Sequence, residues 1–510
     1  MTDSEKPSTG TATWASPPSS EHKSVSSSPT TRQTQLQAYF DALAPQRNRW
    51  KRRNAYYYRE LERFFIFAVP PGSRVLEIGC GTGDLLNAVA PAYGVGIDFS
   101  PAMIEIARKK HPHLKFCVMD GQGFELDETF DFIILSDLIG DLEDVLEVFR
   151  RLHRVCSAET RIVISYYNYL WEPLLKFGEK LHLKTRQGLQ NWLPMAVVRN
   201  LLYLSGFDTV KHGTRLLFPK YIPIVSVFLN RLVAPLPVMR QLCLVEYLVA
   251  RPDPTSEEVR SPRGRAATNE LSCSVVIPCR NEVGNIQEAV ERTPSMGSHT
   301  QLIFVDGSST DGTVEKIQEM MKRYEAQKDI KLILQGNGVG KGDAVRKGFA
   351  AATGDVLMIL DADLTVQPED LPKFFDAIVS GKGEFINGSR LVYPMEKQAM
   401  RLLNLIGNKF FSLQFSGILG QRIRDTLCGT KVLTKRNYER IAAQRSFFGD
   451  FDPFGDFDLL FGAAKLNLKI VEVPVRYHDR TYGETKISRF RHGWLLLKMA
   501  AMAFLKFKLN

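Results

Sequence analysis

Asp361 and Asp363 stand two residues apart at the end of an apolar run, Val356-Leu-Met-Ile-Leu360. In extended backbone that spacing turns both carboxylates to one side. Converging carboxylates repel unless a cation neutralises them, and Mg2+ or Mn2+ takes such oxygen ligands together with those of a diphosphate. The cation then offsets the charge that grows on a departing diphosphate. A different chemistry is written nearer the start, in Val75-Leu-Glu77-Ile-Gly79-Cys-Gly81-Thr-Gly83 and Gly96-Ile-Asp98. A strand running into glycines lets backbone approach a ligand closely, because glycine lacks Cβ and tolerates positive φ. A helix beginning at Asp84 then aims its first amides at whatever lies above.

These residues need strand ends to hold them, and the pattern supplies them. Short apolar runs at 74–78, 95–98, 115–119, 130–135 and 161–166 alternate with segments of helical period, which implies crossovers and a largely parallel sheet. A further pair at 209–217 and 242–250 suits the antiparallel edge such sheets carry. Asp98 then ends the second strand, placed to accept ribose hydroxyls, and Asp120 ends the third, beside Gly121 and Gln122. In order and spacing these segments resemble the motif series of class I S-adenosylmethionine-dependent methyltransferases. The resemblance implies that Gly79, Gly81 and Gly83, with Glu77 before them, cradle the amino-acid part of S-adenosylmethionine. It places Asp98 on the ribose, Asp120 on the adenine, and Ser136 and Asp137 near the methyl group and its acceptor. Tyr166, Tyr167 and Asn168 are candidates for the acceptor side, and the acceptor itself stays open.

After a Pro-, charge- and Ser-rich linker at 251–272, strands recur at 273–277, 301–305, 330–334, 356–360 and 383–387. Around the aspartate pair lie Pro278, Arg280, Asn281 and Glu282, then Asp306-Gly-Ser-Ser-Thr-Asp311, Gly340-Lys341-Gly342, Gly388-Ser389-Arg390, Asp425-Thr-Leu-Cys428-Gly429 and Arg480-Thr-Tyr-Gly483-Glu-Thr-Lys486. This ordered series resembles inverting family 2 glycosyltransferases of the GT-A fold, and within them the polyprenyl- or dolichyl-phosphate mannose and glucose synthases. The resemblance implies that Pro278, Arg280, Glu282, Asp306 and Lys341 serve the nucleotide-sugar donor, and that Asp361 and Asp363 hold the metal. Arg390, Arg480 and Lys486 would meet the phosphates of donor and acceptor. Fixed cations have a physical reason here, because an anionic acceptor must approach an anionic donor. A lipid phosphate is already ionised at neutral pH and needs no strong base. Asp456 or Asp458 would serve as base if the acceptor were instead a glycan hydroxyl, as in surface-polysaccharide synthesis. Thr365 stands where such synthases often carry a further polar metal ligand.

The expected architecture is therefore α/β in two domains. A Rossmann-like seven-stranded sheet spans 33–250, and a GT-A nucleotide-sugar-binding domain spans 273–490. Residues 1–32 read as a disordered Ser/Thr/Pro tail and 491–510 as an amphipathic helix with cations between apolar residues. At 510 residues the chain exceeds one core. Its net charge of +10 comes without any nucleic-acid motif, so phosphate-bearing ligands and a membrane surface are the expected partners, not nucleic acid. Seven cysteines without paired metal-type spacing fit a reducing cytosol. No apolar stretch is long enough to span a bilayer. The expectation is a cytoplasmic bifunctional transferase, peripherally attached to the membrane face, with oligomeric state open. An alternative makes the N-terminal half a cofactor sensor or scaffold. The Pro-interrupted apolar stretch 218–240 reads as a lid or docking surface.

Overall fold

The computed structural model describes residues 31–185, 190–254, 270–338, 340–390, 402–447, 455, 457–476, 478, 480, 482 and 489–508. Most of the expected tail, the centre of the linker, Asp456 and Lys486 lie outside the described residues.

The first sheet comprises β1 (Arg74–Ile78), β2 (Tyr93–Asp98), β3 (Lys115–Val118), β4 (Phe130–Ser136), β5 (Cys156–Tyr167), β6 (Phe207–Arg215) and β7 (Val245–Pro252). Their order is β3-β2-β1-β4-β5-β7-β6, with β7 antiparallel to both β5 and β6 and the rest parallel. Helices cover both faces, so alternate side chains of one strand enter different cores. Leu76, Ile133 and Leu135 pack on one side, Val75, Phe132 and Ile134 on the other. β7 runs on through Pro252, past the boundary expected at residue 250.

The second sheet comprises β8 (Cys273–Cys279), β9 (Thr300–Asp306), β10 (Asp329–Leu334), β11 (Val356–Ile359), β12 (Phe385–Ser389), β13 (Lys431–Thr434) and β14 (Ile470–Pro474). The order is β10-β9-β8-β11-β13-β12-β14, and β13 runs antiparallel between β11 and β12. β13 and β14 were not foreseen: one is four residues long and opens on a lysine, the other ends on a proline. In each sheet the chain starts centrally, walks to one edge, then returns to the other side of its first strand. The crevices where order reverses, between β1 and β4 and between β8 and β11, open at the carboxyl ends of strands, where ligands of open α/β sheets sit. All seven cysteines are unpaired.

Charged side chains join the two halves. Arg161 on β5 is buried, and its Nη2 donates to both oxygens of Glu384, just before β12, at 2.5 and 2.6 Å. Arg251 on β7 approaches the same carboxylate at 3.5 Å, and Lys469 donates to Asp208 at 2.8 Å. Burial pushes the Glu384 carboxyl up, but the two guanidiniums outweigh it and hold the group below its ordinary value. Removing one partner leaves a buried charge uncompensated. Arg161→Ala is therefore expected to cost about 3–5 kcal/mol, read as a lower midpoint in denaturant unfolding.

The C-terminal helix Arg489–Lys508, whose sequence suits equally a membrane interface or packing on the catalytic domain, packs. Leu496, Met499, Ala503 and Phe507 form a stripe sunk into the core of the second domain. Fully burying such side chains contributes roughly 1.5–3 kcal/mol for each large one, which anchors the helix. Trp494, Leu497 and Leu505 remain outward. No described helix is long and apolar enough to cross a membrane.

Candidate functional site

The glycine turn leaves β1 in left-handed conformation, with φ of 74° at Gly79, 52° at Gly81 and 73° at Gly83. A Cβ on Gly83 would meet the Phe116 ring at 2.5 Å, so packing as well as φ demands glycine there. Asp98, at the end of β2, accepts from the Gly81 N–H at 2.8 Å and the Ser100 N–H at 2.9 Å. Burial pushes its carboxyl above the ordinary value despite those two amides. Asp120 accepts from the Gln122 N–H at 3.1 Å and from the Gln33 amide at 3.0 Å. Gln33 and Leu36, on the helix Thr31–Leu43, line one cleft with Asp98, Phe99, Met119 and Asp120. Two carboxylates at strand ends with apolar walls suit an adenosine; the sequence reads as helical from Thr34 onward, but the position of that helix across the cleft was not anticipated.

On the other side of Gly79 lies a second cavity, lined by Arg47, Lys51, Tyr58, Glu77, Gly81, Ser136 and Asp137. Glu77 is buried, its Oε2 has no hydrogen-bond partner, and burial pushes its carboxyl up to about 8. An ammonium would complete that orphaned oxygen, and Arg47 and Lys51 supply charge for a carboxylate. The residues therefore fit the amino-acid end of S-adenosylmethionine. Glu77→Gln is expected to weaken its binding by about 10–100-fold in calorimetry, and an unchanged Kd would contradict the assignment. Arg47 and Lys51 lie in a basic–aromatic stretch, Arg47-Asn-Arg49-Trp50-Lys-Arg-Arg53 followed by Tyr56-Tyr57-Tyr58, to which sequence reasoning gave no role. Their spacing of four on the helix Arg47–Arg53 was the available signal.

Ser136 ends β4 with its hydroxyl 3.3 Å from that of Ser165. Asp137 follows at φ 52°. The Tyr57 hydroxyl donates to Asp137 Oδ2 at 2.5 Å, while Oδ1 is buried without a partner. Burial pushes this carboxyl up to about 6, against the pull of Tyr57 and Arg47. Asp137 also lines a further cavity with Tyr166, Tyr167 and Trp192, so it stands between the cofactor side and an aromatic chamber. Asn168 does not share that position. Its amide donates to the Gln241 and Cys243 carbonyls at 2.8 and 3.0 Å, a structural tie.

In the second domain the strand ends bring Pro278, Arg280, Asp306 and the aspartate pair side by side. Cys279 lies opposite Asp306 in register, and the Leu360 N–H donates to Val276 at 3.0 Å. Lys341 pairs with Asp361 at 2.5 Å, and Arg480 pairs with Asp363. Burial raises the Asp361 carboxyl, but Lys341, with Lys431 and Arg390 behind it, outweighs that and holds it below its ordinary value. A Cβ on Gly429 would lie 2.0 Å from Asp361 Oδ2, so only glycine lets this backbone close on the carboxylate. Thr365 donates its hydroxyl to Asp363 Oδ1 at 2.8 Å, which makes it an orienting group for that carboxylate. Among the described residues no set of three or more acidic, His or Cys side chains is gathered for a metal. Two carboxylates still fit a magnesium-type cation, which takes its other ligands from phosphate and water.

The other expected residues have protein partners of their own. Arg390 makes a bidentate pair with buried Asp425, at 2.7 and 2.8 Å, and Asn408 fixes the same carboxylate at 2.9 Å. Glu282 accepts from Asn285 at 2.8 Å at the start of the helix Val283–Arg292. Asp306 is buried and accepts from the Ser309 N–H at 3.1 Å, closing its own turn. Asp458 pairs with Arg445 at 3.2 Å on the helix Phe457–Lys465.

Residues 49–212 match the family model of a methyltransferase domain, and residues 274–443 match that of glycosyl transferase family 2. The dolichol-phosphate mannosyltransferase of Pyrococcus furiosus is 30% identical over 240 residues, 45% of this chain and 64% of that protein. Glycosyltransferase AglJ of Haloferax volcanii is 28% identical over 224 residues, 44% of this chain and 68% of its own length. A solved S-adenosylmethionine dependent methyltransferase of Mesorhizobium loti is 20% identical, covers 38% of this chain and 96% of its own, and has a TM-score of 0.30. The chain thus spans just under two thirds of the Pyrococcus relative. It carries a methyltransferase domain and a family 2 glycosyl transferase domain on one polypeptide.

Proposed function

We propose that the second domain moves a sugar from a nucleoside diphosphate sugar onto the phosphate of a polyprenyl lipid, and that the first binds S-adenosylmethionine and methylates an acceptor. The observation that carries the sugar reading is the aspartate pair flanked by Lys341 and Arg480, with Lys431 and Arg390 behind. Asp361 and Asp363 would hold Mg2+ or Mn2+, which supplies positive charge to the leaving diphosphate when bound. Lys341 and Arg480, released from the carboxylates, turn to phosphate oxygens of donor and acceptor. The lipid-phosphate oxygen attacks the anomeric carbon as the bond to the diphosphate breaks, so configuration inverts in one displacement. Pro278, Arg280 and Asp306 line the donor side, and Lys486, outside the described residues, is named as a phosphate-binding cation from its sequence motif alone.

In the first domain Glu77, Arg47 and Lys51 hold the amino-acid end of S-adenosylmethionine, and Asp98 and Asp120 hold ribose and adenine. The bound cofactor supplies an electrophilic methyl group. Asp137 takes the proton from the acceptor atom as that atom gains the methyl, and Tyr57 orients the carboxylate. The chain works at a membrane surface, where its lipid acceptor resides.

The test is direct. Purified chain is incubated with polyprenyl phosphate and a panel of labelled nucleoside diphosphate sugars, then extracted with organic solvent. Label in lipid, released by mild acid, supports the reading, and label left wholly in water counts against it.

A further inference from the structure

Between β6 and β7 the chain makes an excursion, residues 216–244, that neither active site uses. We propose that this excursion is a membrane foot, an apolar and acid-free surface by which the methyltransferase domain docks on an anionic lipid bilayer. The proposal rests on the lipid-phosphate reading only for the reason that a bilayer is visited.

The excursion contains Lys220, Arg231 and Arg240 and no Asp or Glu. Its polar side chains are spent on holding it together. The Ser226 hydroxyl donates to the Lys220 carbonyl at 2.7 Å and accepts from the Ile222 N–H at 2.6 Å. The Asn230 amide donates to the Phe218 carbonyl at 2.8 Å and to the Tyr56 hydroxyl at 3.0 Å, and its oxygen accepts from the Phe218 N–H at 2.8 Å. These bonds fold the excursion against the helix Ala55–Ala68, with apolar side chains left outside. Ile224 is 84% exposed and Val238 68%, with Phe228, Leu232 and Leu236 each about half exposed. Ile224 is also held at φ 66°, unfavourable for a β-branched residue. A built segment that turns polar groups inward and large apolar groups outward marks a docking surface.

Charge decides what docks. Just before the excursion, Arg215 at the end of β6 reaches the C-terminal helix, where its guanidinium donates to the Phe507 carbonyl at 3.4 Å. Burial, with the nearby Arg215 and Arg240, pushes the Lys508 ammonium down to about 8, so Lys508 belongs to the packed seam and not to the exposed face. Residues 489–508 are also free of Asp and Glu, and that helix keeps Trp494 and Leu497 outward. The excursion itself presents exposed apolar side chains with Lys220 and Arg240 exposed among them, Arg231 half-buried, and no acid. Two copies of such a face repel each other, whereas anionic headgroups above an apolar layer satisfy both of its properties.

The test uses the full chain and an Ile224→Asp/Val238→Asp variant. Each is sedimented with vesicles of phosphatidylcholine, or of equal parts phosphatidylcholine and phosphatidylglycerol. The native chain is expected to pellet with the mixed vesicles, less with the neutral ones, and to be released by salt. The variant should partition roughly tenfold less or weaker. Both should transfer sugar equally to polyprenyl phosphate in detergent micelles. A native chain that pellets yet transfers no sugar in micelles would leave the foot standing and remove the glycosyl reading. Native chain remaining in the supernatant with mixed vesicles would overturn the foot. So would a variant that pellets equally, or a solution dimer that the substitutions dissolve.

Discussion

Asp361→Asn/Asp363→Asn is expected to lower sugar transfer by at least roughly 10²–10³-fold, and to abolish its dependence on Mg2+ or Mn2+. Both carboxylates already sit against cations, Lys341 and Arg480. On the proposed reading Asp361 and Asp363 would hold the metal, and Lys341 and Arg480 would pair with phosphate. Asparagine keeps the shape and removes the charge. Nucleotide should then still bind, because Pro278, Arg280 and Asp306 lie on β8, β9 and the turn between them rather than on the aspartate pair. A magnesium titration of transfer rate separates the cases: the native chain saturates, and the variant stays flat. Native activity undiminished in the variant would remove the aspartates from the mechanism.

The second large effect concerns Asp137. Asp137→Asn should lower methyl transfer by roughly 10²–10⁴-fold once an acceptor is in hand, with S-adenosylmethionine affinity little changed. Its carboxyl lies at about 6 because burial disfavours the charge, and a base acts only when ionised. The rate should therefore fall as pH drops through about 6, and fall at lower pH if a bound sulfonium pulls the carboxyl down. Above that range it should level off. The Tyr57 phenol is held well above its ordinary value by burial and by Asp137, so it stays protonated and keeps donating across this window. A pH–rate profile for native and variant chains checks the sign. A profile unchanged by the substitution would make Asp137 a structural acid only.

Much of this geometry could be anticipated where chemistry forces a local signature. The run of glycines after an apolar strand, and two aspartates at i and i+2, announce themselves because few other residue types permit that backbone or that charge density. The strand ends carrying Asp98 and Asp120 followed from alternation alone. Contacts across long separations were not visible. Arg161 and Glu384 are 223 residues apart, and neither differs in sequence from a solvated surface charge. The spacing of Arg47 and Lys51 puts them on one helix face, but sequence does not tell that this face turns toward a cleft. Lys431–Thr434 was too short to register as a strand, yet it sits antiparallel in the middle of the second sheet. The C-terminal helix was ambiguous in sequence. Its mixed apolar and basic residues suit a membrane interface or a packed helix alike, and Leu496, Met499, Ala503 and Phe507 fall on one stripe that the domain core absorbs.

The account turns on the acceptor being a lipid phosphate brought against a cation-lined cleft, and one comparison tests that most directly. Native chain, donor sugar and metal are offered either a polyprenyl phosphate or the same polyprenol without its phosphate. The account predicts labelled sugar in the organic phase with the phosphate and none with the alcohol. Equal transfer to the alcohol, or label found only on a glycan hydroxyl in the aqueous phase, would contradict it.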